Sequence, residues 1–123
     1  KFYGLGILIC EETAKEVSSQ FLCPKIDYIK AKGKQEAVTI YTVVGEQETL
    51  VLSKEEKLFL DFYAEGLAAY HNQHFEDAIL AFRKGLLFAP DDKSSQILMD
   101  RSKIFQEIPP PIDWDGSWTF TQK

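Results

Sequence analysis

The residues best suited to chemistry are the lysines of residues 28–45, YIKAKGKQEAVTIYTVVG. Alternation along a strand places Tyr28, Lys30, Lys32 and Lys34 on one face, with Ile29 and Ala31 on the other. Gly33 supplies backbone freedom where the chain reverses or a ligand approaches closely. Residues 37–44, rich in Val, Ile and Tyr, suit a buried strand. A basic hairpin edge backed by an apolar strand is a place to hold an anion. The same lysines could equally serve only to stop other chains pairing with an edge strand.

Other candidates are weaker. Glu11 and Glu12 are adjacent, and neighbours on a helix point apart, so capping and solvation explain them better than acid–base work. His71 and His74 form H-x-x-H, with only Glu76 and Asp77 at useful spacing, which fits a polar turn between helices better than a metal site. Cys10 and Cys23 are the only cysteines and sit in apolar stretches, where reduced thiols behave as small buried hydrophobes. A disulfide between them remains open, although two cysteines make no framework.

The elements that must position the lysines come next. Residues 5–10, LGILIC, read as a strand covered on both faces. A helix over 11–20 opens with acidic residues that suit the positive dipole end. A strand over 21–31 is entered through Pro24, which marks an edge or a bulge. With residues 37–44 the order is β-α-β-β, too few strands to close a sheet over a core.

Residues 1–45 resemble the last part of the catalytic domain of class III nucleotidyl cyclases, the adenylate and guanylate cyclases. The resemblance rests on YGLGILICEETAKEV followed by FLCPKIDYIKAKGKQEAVTIYTVVG. In that family a strand of ILIS type precedes an EET helix. A strand ending in VKGK and one of VTIYEVLG type follow. The resemblance implies a partial ferredoxin-like cyclase fold and puts Lys32 where a lysine contacts the terminal phosphates of the substrate. It also implies ATP as substrate of a parent lyase in signal transduction, cyclic AMP and pyrophosphate as products, and a homodimer through the cyclase domain. The family uses two divalent metals, Mg or Mn, held by two aspartates, and a helical asparagine and arginine. No N-x-x-x-R occurs in these 123 residues. This chain is therefore expected to be the C-terminal segment of a longer cyclase, with no catalytic or metal residue of its own, inactive alone.

After residues 46–53, a polar linker, Ser53 and Glu56 spell a capping box for a helix running to about His71. A second helix is expected over 75–88, ending before Pro90, and a third over 92–106. The first two resemble one tetratricopeptide repeat, a helix–turn–helix unit of roughly 34 residues. Phe62, Gly66, Phe75, Ala78, Phe82 and Pro90 stand at its signature positions. Glu65 and Gly85 depart from it, where Leu and Ala are preferred. Gly66 and Ala78 would let the helices approach, Phe75 and Phe82 would fill the gap, and Ile97, Leu98 and Ile104 would cap the open face. The fold class is thus α+β: the partial cyclase fold over 1–45, the linker, then an all-α helical hairpin with a capping helix over 54–108. One repeat is short for peptide capture, which leaves dimerisation, or docking of a protein partner, as a second function.

Residues 109–123 form a Pro-rich, Trp-containing tail. Pro109, Pro110 and Pro111 stiffen the chain as polyproline II, and a turn at Asp115-Gly116 lets Trp114, Trp118 and Phe120 dock rather than stay in water.

Composition limits the classes of function. Apolar residues make up 45% and charged residues 27%, as in ordinary globular domains. No run of 18 apolar residues exists, so no membrane span is read, and the expected setting is the cytoplasm. The net charge of −5 is uneven, because residues 1–45 hold six Lys against five acids while residues 46–123 hold eight Lys or Arg against fourteen. The acidic part disfavours nucleic acid, and a nucleotide phosphate would prefer the first segment.

Overall fold

A computed structural model of the protein describes residues 7–31 and 33–120. It is an α+β chain that divides into two compact units, residues 7–51 with 115–120, and Leu52–Trp114.

In the first unit, β1 (Leu8–Cys10), β4 (Val38–Thr42), β3 (Lys25–Lys30) and β6 (Trp118–Thr119) form a sheet in the order β1-β4-β3-β6. β4 pairs antiparallel with both of its neighbours, and β6 lies parallel to β3. β2 (Phe21–Leu22) and β5 (Gly45–Glu46) make a separate antiparallel pair. The single strand expected over 21–31 is therefore two, and the break falls at Cys23-Pro24, where proline removes a ladder donor. The Pro24 carbonyl still accepts from Thr42 N–H at 3.1 Å.

A register shift follows at once: Lys25 faces Tyr41 and Asp27 faces Ile40. The extra residue is a bulge, which breaks the alternation of faces and lets consecutive residues Ile26 and Asp27 both be buried. One oxygen of the Asp27 carboxylate accepts from Tyr28 N–H at 2.8 Å, which answers part of the cost of burying it.

α1 (Glu11–Val17) ends earlier than expected, with Ser18 as C-cap. At about 1.5 Å per residue it is about 10 Å long, too short to cover a four-stranded sheet. This is why β4, expected to be buried, buries only Ile40, while Val38 stays 51% exposed. β1, expected to be covered on both faces, leaves Leu8 and Cys10 exposed.

The second unit contains α2 (Lys54–His71), α3 (Phe75–Leu86) and α4 (Lys93–Glu107). α2 opens with the expected capping box: Glu56 N–H donates to Ser53 Oγ at 3.0 Å and Ser53 N–H to Glu56 Oε1 at 2.9 Å. A Cβ on Gly66 would lie 2.8 Å from the Phe82 ring, so glycine is what lets α2 and α3 approach. Ala78 and Phe82 are fully buried beside it. Phe62 stacks on Phe88 at 6.2 Å, and Phe88 and Ala89 N–H both bond the Gly85 carbonyl just before Pro90.

Asp92 caps α4, its Oδ2 accepting from Ser95 N–H at 2.9 Å and from the hydroxyls of Ser94 and Ser95. Of the three residues expected to cap the helix pair, Leu98 is fully buried, but Ile104 is 48% exposed. Phe105 takes the inner position, one heptad after Leu98, and packs 5.3 Å from Phe75 and 5.2 Å from Trp114. Trp114 also meets Tyr70 edge-on at 5.6 Å, completing an aromatic cluster.

Candidate functional site

The candidate site is the lysine hairpin of β3 and β4. β3 ends at Lys30, Lys34 N–H closes the turn onto the Ala31 carbonyl at 3.0 Å, and Gly33 has φ +80°. A Cβ on Gly33 would meet nothing within 4 Å, so glycine is required there for its backbone conformation and not for space. Lys32, the residue assigned to phosphate, lies outside the described residues. Lys34 is exposed, and Lys30 is half-buried.

Lys30 is held by a residue that the sequence did not link to it. Its Nζ lies 3.6 Å from Asp115 Oδ2. Asp115 opens a tight turn in which Oδ1 accepts from Ser117 N–H at 2.9 Å and from Ser117 Oγ at 2.5 Å, with Gly116 at φ +91°. The Ser117 hydroxyl, then its backbone N–H, and then Lys30 hold the Asp115 carboxyl below its ordinary range. β6 follows, pairing Trp118 with Ile29 and Thr119 with Lys30, and Phe120 N–H donates to the Lys30 carbonyl at 3.0 Å. The turn at Asp115-Gly116 was legible; the strand after it was signalled only by the short alternation Trp118, Thr119, Phe120.

The remaining candidates belong to other elements. Cys10 is an exposed free thiol at the start of α1, and Cys23 is also free. The Thr13 hydroxyl, 3.4 Å from the Cys10 sulfur, is the main cause that lowers its pKa. Burial, with Glu11 second, raises that of Tyr41. His71 is half-buried against Tyr70, while His74 is exposed before α3. Among the described residues no group of three His, Cys, Asp or Glu side chains is placed to hold a metal ion. Among the same residues no helix is long and apolar enough to cross a membrane.

The chain is similar to the terminal-differentiation-specific adenylate cyclase of Dictyostelium discoideum, 31% identical over 105 residues. The match takes in 82% of this chain and 5% of that protein. A continuous match of that extent, wherever it starts, includes the lysine hairpin together with α2 and α3. No protein-family model matches the chain, and no solved structure does.

Proposed function

We propose that this chain is a segment of a class III nucleotidyl cyclase, carrying the last part of the catalytic domain and the helices after it, whose whole polypeptide converts ATP to cyclic AMP and pyrophosphate. The observation that carries the reading is the extent of the similarity to an adenylate cyclase, which runs through the hairpin into the helices. The glycine turn after β3 agrees with it, because positive φ at Gly33 reverses a strand end that carries lysines. Lys32 contacts the terminal phosphates of the triphosphate. In the whole polypeptide, aspartates of the catalytic domain would hold two divalent metals, which would supply charge stabilisation for the displacement.

A lysine near a surface is worth about 1 to 4 kcal/mol against a phosphate charge at 4 Å. In the full polypeptide, Lys32→Ala is expected to raise the KM for ATP about fivefold or more, with a smaller effect on kcat. ATP kinetics identical to those of the parent would reject the role.

A second reading concerns Leu52–Trp114. This unit has a core of its own around Tyr70, Phe82 and Leu98, yet leaves Leu87 76% and Ile108 72% exposed. On this reading it is a module like a tetratricopeptide repeat that dimerises the parent or docks a protein partner. Leu87→Asp with Ile108→Asp should then lower the sedimentation mass of the full polypeptide or abolish partner binding. Unchanged mass and unchanged binding would remove the reading.

A further inference from the structure

We propose that Asp115 is a resident counter-anion of the lysine hairpin, a carboxylate that a polyphosphate ligand must displace from Lys30. This deepens, and rests on, the reading of the hairpin as a phosphate site.

Most surface ion pairs join two long, mobile side chains and contribute little. This one differs in how its acid is held. Both bonds from Ser117 fix Oδ1, and Ser117 itself is 6% exposed. Gly116 takes a positive φ that other residues rarely adopt. The two pairs of β6 on β3 then set the height of the turn along the strand. The second carboxylate oxygen is therefore aimed at Lys30 by the backbone and not by chance side-chain rotation. The pair is still open to a ligand, since the two side chains keep 27% and 45% of their exposure.

The strand need not detach for this to operate. An incoming phosphate oxygen and the Asp115 carboxylate compete for one ammonium, and their like charges oppose simultaneous occupancy. The tail thereby lowers the anion affinity of the hairpin, by a displacement cost common to all anions and by a charge repulsion that grows with the charge of the ligand.

The test is titration of the 123-residue chain with inorganic triphosphate, and separately with ATP, by calorimetry at low salt. Asp115→Asn keeps the oxygen that accepts from Ser117 and removes only the charge; Asp115→Ser is a second variant that retains an acceptor. Both are expected to bind triphosphate about three- to tenfold more tightly than the parent chain, with most of the gain lost at high salt. The gain should vanish when Lys30→Met is added, and the Trp118 indole N–H resonance should stay in place throughout. A gain with triphosphate but none with ATP would place the competition at the free anion and still support the counter-anion.

Equal or weaker triphosphate binding by both variants overturns the proposal, as does a gain that survives Lys30→Met. Failure of the underlying reading looks different: Lys32→Ala would bind triphosphate as well as the parent chain while the Lys30-dependent gain remained.

Discussion

The two units bury their apolar surface in opposite ways. In Leu52–Trp114, Tyr70, Ala78, Phe82 and Leu98 are fully buried, and an aromatic cluster of Tyr70, Phe75, Phe105 and Trp114 closes one end. Among the described residues of the sheet unit the buried apolar ones are Ala14, Ile26 and Ile40, joined by two polar ones, Asp27 and Ser117. The helical unit is held by close packing of rings. The sheet unit depends much more on backbone ladders and on polar turns such as the one Asp115 opens. A short helix over a wide sheet cannot produce the first kind of core, whatever the apolar content of its strands.

Core truncation tests this contrast most severely. Phe82→Ala should cost about 3 to 5 kcal/mol of helical-unit stability, and Ile40→Ala no more than about 2 to 3 kcal/mol. Denaturant melts followed by helical ellipticity and by Trp118 fluorescence read the two losses, and a larger cost at Ile40 would reverse the comparison.

The glycines of the helix pair sharpen it. Gly66→Ala puts a methyl into the Phe82 ring and should lose about 1 to 3 kcal/mol through overpacking. At Gly85 a Cβ would sit 3.4 Å from Phe62, a contact that slight movement relieves. There alanine should be neutral or gain up to about 1 kcal/mol from helix propensity. Equal melting temperatures for the two variants would show that the helices do not approach as described.

The smallest effect is expected in acid. The carboxyl of Asp115 is held below its ordinary value of 3.8 by Ser117 and Lys30. Its contribution is therefore complete above that value and lost as pH falls through the lowered one. Trp118 fluorescence should report slight loosening of β6 below about pH 4, and Asp115→Asn should abolish that step. A step of the same size in Asp115→Asn would assign it to another acid.

The helices were the more legible half. Ser53 with Glu56, and Pro90, are local signals that act within their own helix or turn, and the spacing from Gly66 to Phe82 acts between two helices that are consecutive in the chain. Ile104 was misplaced because periodicity names an apolar stripe without saying which edge of it meets the neighbouring helix; Phe105 won that position through its ring contacts. In the sheet, strand propensity around Pro24 could not reveal the bulge that buries Asp27, since a bulge depends on the register of the partner strand. The Lys30–Asp115 pair was invisible for a related reason. It joins residues 85 positions apart, and nothing in DWDGSW announces which strand it will lie beside.

The placement of β6 also bears on solubility. A strand rim with unsatisfied N–H and C=O groups is a template on which foreign chains can grow, and β3 would present one next to its lysines. Two residues of tail, fixed by a turn, pair with Ile29 and Lys30 on that rim, so this short stretch acts there as a guard against edge-to-edge aggregation as well as a neighbour of the charged hairpin.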